Sequence, residues 1–160
     1  TEIFFRSGTS WTEQAKLTAA DAAAGDYFGY SVSINGDYAI VGAFGDNENG
    51  VDSGRDYIFS RSGTTWTQQA KLTGVVSEGD QFGNSVSISG DYAIVGASGN
   101  DGRVSAYIFF RSCTTWTEQA KLTAADAAAG DYFGYSASIS GDYAIVGAFG
   151  DNVIVVNRGR

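Results

Sequence analysis

The chain has no histidine, no proline and no methionine, and it has a single cysteine, Cys113. Without histidine, a Ser-His-Asp triad and a histidine-bound zinc ion are both excluded. The lone cysteine has no histidine to activate it and no second cysteine in the chain with which to form a disulfide. These absences remove the commonest catalytic sites, and we expect the chain not to be an enzyme.

Basic residues are also scarce, because 10 lysines and arginines face 18 acidic residues and leave a net charge of −8. An acidic surface repels phosphate backbones and anionic lipids, so we expect neither nucleic-acid binding nor membrane insertion. No apolar run is long enough to cross a bilayer. The chain begins at Thr1 without a methionine, and we interpret it as a processed product or a piece of a longer protein.

One phrase, Gly-Asp-Tyr-Ala-Ile-Val-Gly-Ala, occurs three times, beginning at Gly36, Gly90 and Gly141. Each copy follows a Phe-Gly pair, which in turn follows a Trp-Thr-x-Gln-Ala-Lys-Leu-Thr segment. A repeat of about 50 residues indicates an array of one supersecondary unit. The 22 glycines and 14% aromatic residues favour many short strands joined by tight turns.

The first repeat contains four strand-like stretches, at residues 28–34, 38–43, 56–61 and 66–72. The second is apolar on both faces, which is typical of a strand covered by a sheet on each side. The fourth alternates like an exposed edge strand. Its alternation predicts one face that carries Trp66, Gln68, Ala70 and Leu72.

Four antiparallel strands repeated around an axis describe the blades of a β-propeller. We therefore predict an all-β chain that forms a single propeller domain over residues 1–160, with about three blade-equivalents. The expected units are a half blade at 1–18, whole blades at 26–73 and 80–123, and a half blade at 131–160.

Three blades are fewer than the four to eight that propellers typically have. We expect either a homodimer that completes a ring of six blades or a piece of a longer propeller. The segment 153–158, which is rich in valine and isoleucine, is a further candidate for the third strand of the last blade. Cys113 stands where the other copies carry Gly8 and Gly63, and we interpret it as a substituted turn position.

The Phe-Gly pairs, together with a Gly-Ala pair at the end of the next strand, resemble the FG-GAP repeat. The matching pairs are Phe28-Gly29 with Gly42-Ala43, Phe82-Gly83 with Gly96-Ala97, and Phe133-Gly134 with Gly147-Ala148. The proline that often closes this motif is replaced by Phe44, Ser98 and Phe149. FG-GAP repeats build the propeller of integrin α subunits and occur in bacterial cell-surface proteins. The resemblance implies a non-enzymatic, extracellular or cell-surface recognition or adhesion module that binds a protein partner or a glycan.

Calcium is the candidate cofactor, and no other is expected, because FG-GAP repeats often carry a calcium-binding loop between the second and third strands. Here that loop spans residues 45–54, and Gly45 replaces the first aspartate when Gly50 takes the glycine position. Carboxylate and amide oxygens are the ligands that calcium prefers. The candidate ligands are Asp46, Asn47, Glu48, Asn49 and Asp52. The alternative interpretation is a solvated acidic loop.

Some fungal lectins that resemble this family hold small sugars between adjacent blades, and the aromatic residues here suit such a role. The candidate stacking residues are Tyr27, Tyr30, Tyr132 and Tyr135, and the candidate acceptors for sugar hydroxyls are Asp26 and Asp131. In the alternative, the phenylalanines pack between blades and the tyrosines cover their rim. A third possibility is a purely structural, self-assembling protein, because the first and last repeats are almost identical.

Overall fold

The computed structural model describes residues 1–47, 52–99, 104–126, 128 and 130–150, and these form antiparallel β-sheets. The strands are β1 (Glu2–Ser7), β2 (Ser10–Lys16), β3 (Ser31–Asn35), β4 (Tyr38–Ala43), β5 (Arg55–Ser62), β6 (Thr65–Leu72), β7 (Phe82–Ser89), β8 (Tyr92–Ala97), β9 (Ser105–Ser112), β10 (Thr115–Leu122), β11 (Phe133–Ser140) and β12 (Tyr143–Ala148). The all-β prediction is confirmed. A search of the described residues for a helix able to cross a membrane found none.

The strands form two four-stranded sheets, in the orders β3-β4-β5-β6 and β7-β8-β9-β10. These sheets are the predicted four-stranded blades. Two-stranded sheets, β1–β2 and β11–β12, lie at the two ends of the chain, and within the described residues they do not pair with each other. The first strands of successive sheets contact one another, so β3, β7 and β11 lie on the inside of the array.

A β-bulge in each outer hairpin changes which side chains share a face. Ile58 pairs with Ala70, but the next residue of β5, Phe59, pairs with Gln68, so Gln69 is the extra residue. The expectation that Trp66 and Gln68 share a face with Ala70 and Leu72 was therefore wrong, because the bulge reverses the alternation. Equivalent bulges lie at Gln14 and Gln119.

Glycine allows neighbouring blades to approach one another closely. A Cβ atom added at Gly42 would lie 2.2 Å from the carbonyl oxygen of Gly83 in the next blade. That carbonyl accepts a hydrogen bond of 2.8 Å from Ser31 Oγ. Gly83 has a φ of 90°, a conformation that glycine adopts readily. Gly96 meets Gly134 in the same way, so the two glycines of the repeated motif fix how closely the blades approach.

The apolar core lies between the sheets. Phe82 is fully buried in a cluster to which both whole blades contribute, and its ring lies edge-on to Tyr107 at 5.4 Å. Ile40 on β4 and Ile94 on β8 are also fully buried. Burial of each such side chain stabilises the fold by about 1.5–3 kcal/mol. The second strand of each whole blade is thus covered on both faces, as its apolar sequence predicts.

One buried carboxyl lacks a partner. Asp56 is fully buried, and neither carboxyl oxygen has a hydrogen-bond partner. Burial raises the pKa of this carboxyl well above its ordinary value of 3.8, because a charge is unfavourable in an apolar environment. The equivalent residue of the next blade is Ala106, so the blade architecture does not require this acid.

We expect Gly42→Ala to destabilise the fold by about 1–3 kcal/mol, because the added methyl overlaps the backbone of the next blade. Chemical denaturation measures this. Gly63→Asn is the control, since Gly63 has open space around it and a φ of 63° that asparagine tolerates. Equal stability losses in the two variants would contradict the role given to the glycine contact.

We expect Asp56→Ala to stabilise the protein at neutral pH by about 1–3 kcal/mol, because it removes an unpaired buried acid. Well below pH 3.8, Asp56 is protonated in both the folded and the unfolded chain. As pH rises, the unfolded chain ionises first, so the wild type loses stability that the variant keeps. Unfolding curves at several pH values should show a gain that grows with pH; a gain independent of pH would refute this account.

Candidate ligand-binding site

Three aromatic rings cluster at one end of the first blade. Tyr27 stacks on Phe44 with 4.9 Å between ring centroids and an angle of 7° between the ring planes. Tyr30 meets the same ring edge-on at 4.5 Å. Phe44 follows β4 and the tyrosines precede β3, so the hairpin between these strands brings the three rings together.

The same cluster recurs at the start of the last half blade. Tyr132 stacks on Phe149 at 4.8 Å, and Tyr135 meets that ring edge-on at 4.6 Å. The middle blade carries polar residues at the three equivalent positions, namely Gln81, Asn84 and Ser98. Two aromatic clusters therefore flank one polar cluster on three successive sheets.

These clusters line one cavity of about 270 Å³, which we call the aromatic cavity. Its aromatic lining is Tyr30, Phe44, Tyr132, Tyr135 and Phe149. Its polar lining is Gln81, Asn84 and Ser98. None of the described lining residues is charged. The cavity therefore offers apolar ring surfaces, amide donors and acceptors and a hydroxyl, which suits a small neutral ligand that has both apolar and polar groups.

The backbone at the entrance to each first strand is the same in all three copies. Tyr27, Gln81 and Tyr132 have φ values of 55°, 55° and 53°. In each copy this residue's carbonyl accepts a hydrogen bond from the N–H three residues later, at 3.0, 3.1 and 3.0 Å. Left-handed backbone is uncommon for residues other than glycine and is enriched at functional sites. The repeated turn places the variable side chains at equivalent points.

The two aspartates expected to bind sugar hydroxyls instead accept hydrogen bonds from the backbone of the chain. Asp26 is buried, and its Oδ2 accepts a 2.7 Å hydrogen bond from the N–H of Ala23. Asp131 accepts the equivalent bond from Ala128. Neither aspartate lines the aromatic cavity, and Tyr27 contributes to it only through its stacking on Phe44. Of the residues predicted to bind a sugar, Tyr30, Tyr132 and Tyr135 therefore line the cavity.

Two of the candidate calcium ligands, Asp46 and Asn47, are engaged by other groups of the chain. Asp46 is buried, and its carboxylate lies 3.2 Å from Arg55 Nε and 3.2 Å from the Tyr57 hydroxyl. Asn47 Oδ1 accepts a 2.7 Å hydrogen bond from the N–H of Asp52. Glu48 and Asn49 lie outside the described residues. Among the residues that the structure describes, no group of three or more acidic or cysteine side chains is arranged to hold a metal ion. Calcium binding stays a prediction.

A polar network extends from this loop to the preceding connection. The Tyr57 hydroxyl also lies 3.0 Å from Asp21 Oδ1, and Asp21 pairs with Lys71. Burial, with the neighbouring carboxylates, raises the pKa of Tyr57. The hydrogen bond from Lys71 lowers the pKa of Asp21. The carboxylates of Asp21 and Asp46 both have partners within this network. We therefore interpret the pKa shifts as the result of a structural role.

Sequence reasoning did not place five of the residues that line the cavity: Phe44, Gln81, Asn84, Ser98 and Phe149. The sequence did contain a pattern that could have identified these residues. Phe44, Ser98 and Phe149 occupy the position where the motif often has proline, and the middle copy differs from its neighbours at all three positions. Departures from a repeat, at points that the fold brings together, mark the site.

Comparison with protein families gave one result. A model described as the FG-GAP repeat matches the chain three times, at residues 11–59, 66–109 and 116–159. Together these matches span most of the chain. A comparison with curated proteins found no match. FG-GAP repeats occur in extracellular adhesion and recognition proteins and are typical of surface proteins, and propellers of this kind are generally not enzymes.

We expect Arg55→Ala to destabilise the fold by about 3–5 kcal/mol, because it leaves Asp46 as a buried charge without this cation. Both side chains of that pair are only 8% exposed. The control is Lys16→Ala, which breaks an ion pair with Glu2 whose side chains are 67% and 44% exposed; an exposed pair contributes about 0–1 kcal/mol. Similar losses in both variants, measured by denaturation, would count against a structural role for Arg55.

Proposed function

The chain belongs to the FG-GAP repeat family, and on that premise we propose that it is a non-enzymatic, extracellular recognition module that binds neutral carbohydrate in the aromatic cavity. The supporting observation is the composition of that cavity: two aromatic clusters on either side of one polar cluster, with no charged residue among the described lining. Recognition of glycans on a cell surface is one form that an adhesion role takes.

A sugar ring matches this lining chemically. The C–H groups on one face of a pyranose form an apolar surface that packs against an aromatic ring, while its hydroxyls donate and accept hydrogen bonds. Tyr135 and Phe149 supply aromatic surface, and Gln81 and Asn84 supply amides. Because a neutral sugar brings no charge, it needs no counter-charge in the cavity.

The exposure of the rings supports the same proposal. Phe149 is 66% exposed and Tyr30 is 55% exposed, although aromatic side chains gain most by burial. Exposed aromatic clusters commonly mark binding surfaces. The volume of about 270 Å³ is slightly below the range of about 300–1,000 Å³ that is usual for drug-sized ligands. This size favours a monosaccharide or the terminal residue of a glycan.

The test is a glycan array followed by calorimetric titration with the best neutral monosaccharide. We expect the wild type to retain neutral glycans, and Phe44→Ser and Phe149→Ser each to weaken binding by at least about tenfold, which corresponds to about 1.4 kcal/mol. Both substitutions copy the serine that the middle blade carries at Ser98, so the fold tolerates this residue there.

Val75→Ser is the matched control, because Val75 is 84% exposed and does not line the cavity. Its affinity should equal that of the wild type. A wild-type protein that retains no neutral glycan, or one whose affinity is unchanged in both phenylalanine variants, would refute carbohydrate binding at this site.

A further inference from the structure

The two ends of the chain are complementary halves of one blade. Within a whole blade, the second strand pairs with the third along six residue pairs, as β4 does with β5 and β8 with β9. At the end of the chain, β12 has only β11 beside it among the described strands, and at the start β1 has only β2. We propose that a second copy of this chain supplies the missing half, with the β1–β2 hairpin of one copy pairing with β12 of the other in a closed ring of six blades.

A tryptophan connects each blade to the one before it. Trp116 is only 9% exposed and belongs to the buried cluster that includes Ile58, Leu72 and Ile88. Its Nε1 donates a 3.2 Å hydrogen bond to Oε1 of Gln69, the bulge residue of the preceding blade. Trp66 makes the same bond, of 3.0 Å, to the bulge residue of β2. The bulge and the tryptophan therefore form one connection that is repeated between blades.

The receiving half of this connection is open at the end of the chain. A groove of about 290 Å³, which we call the terminal groove, is lined by Ile108, Leu122, Ile139 and Gln119. These residues correspond in the repeat to those that surround Trp116. The remaining tryptophan, Trp11, is 64% exposed. The terminal groove offers Trp11 of a second copy the apolar residues and the glutamine acceptor that correspond to those of Trp116.

The charges of the two ends are also complementary. Each whole blade has one arginine–aspartate ion pair between its third strand and its first hairpin turn, formed by Arg61 with Asp37 and by Arg111 with Asp91. The corresponding residues at the ends are Arg6 and Asp142. Within the described part of one chain, neither takes part in an ion pair. The completed blade would bring these opposite charges together at the position that the pair occupies in both whole blades.

The glycine contact predicts the same arrangement. Gly42 and Gly96 each face the carbonyl of a Phe-Gly glycine in the next blade, but a Cβ added at Gly147 would approach only Ser136 within 3.7 Å or less. At the other end, Gly29 has the φ of 93° shared by its counterparts. The Gly29 carbonyl of a second copy therefore has a place against Gly147.

Both ends leave apolar side chains exposed that are buried elsewhere in the repeat. Ile145 is 73% exposed, whereas its equivalents Ile40 and Ile94 are fully buried. Ile34 is 55% exposed, whereas its equivalent Ile88 is 4% exposed. Exposed apolar surface of this kind marks an interface. When two different surfaces of identical chains bind each other, the assembly closes into a ring if the rotation between neighbouring chains permits it. Two copies of three blade-equivalents give six blades, which is within the usual range of four to eight.

Light scattering after size exclusion tests the proposal without any ligand, so its result is independent of sugar binding. The full chain at about 1–100 µM, a range that spans moderate affinities, should have twice the mass of one 16.8 kDa chain. A mass of one chain throughout this range would overturn the proposal, and so would a mass above two chains. The single-chain result is the one expected if residues after 150 of the same chain cover β12.

Trp11→Ala should convert the dimer to single chains without unfolding them, because Trp11 is exposed within one copy. Loss of a central interface tryptophan weakens binding by at least about 30-fold, and the closed ring contains this contact twice, so the dissociation constant should rise by about 1,000-fold. Val75→Ala is the control and should leave the mass unchanged. An unchanged mass for Trp11→Ala would refute the role of the terminal groove.

Charge exchange provides a second, independent variant pair. Arg6→Asp alone should weaken the dimer, because it sets two carboxylates against each other, and the double variant Arg6→Asp with Asp142→Arg should restore it. Far-ultraviolet circular dichroism verifies that each variant is folded. Failure of the double variant to recover the mass of two chains, when the single variant has lost it, would contradict the proposed pairing.

Discussion

The contact between the glycine of one blade and the glycine carbonyl of the next is the constraint on which the structure depends. With 2.2 Å between a Cβ built at Gly42 and the Gly83 oxygen, no other residue fits without moving a sheet. Once the blades approach this closely, Ser31 reaches the same carbonyl and Phe82 is enclosed by both blades. The Phe-Gly and Gly-Ala pairs are therefore spacing elements, and their repetition makes the interface between the two whole blades resemble the one between the second whole blade and the β11–β12 sheet.

On a uniform scaffold of this kind, the candidate binding site lies where the copies of the repeat differ. The turn before each first strand has a residue of left-handed backbone conformation at the same position in all copies, so side chains at equivalent positions point to one region. Where the copies differ, aromatic rings at Phe44 and Phe149 flank the hydroxyl of Ser98. A strictly identical repeat would give three aromatic clusters and no amide between them. Variation at a few positions supplies chemistry while the glycine contacts hold the geometry.

Each end of the chain carries one half of the contact that is repeated between blades. Each interface needs both a tryptophan and a bulge glutamine, and the chain has Trp11 at one end and Gln119 at the other. In the proposed dimer, the apolar surface beside each would be covered by its complement from the opposite end of the second copy. The proposed self-association would use the contacts that already hold the blades together, and it would require no dedicated interface.

The sequence by itself determined the all-β class, the four strands of each repeat and the tight turns, because side-chain alternation and glycine placement act over a few residues. Gly36, for example, has the φ of 58° that its turn position predicts. The bulge at Gln69 was not predictable from an alternation that continues unbroken through it, since pairing with β5 creates it. Only the tertiary structure brought Phe44 and Phe149 to one cavity with Ser98, because that arrangement depends on how the separate sheets pack against one another.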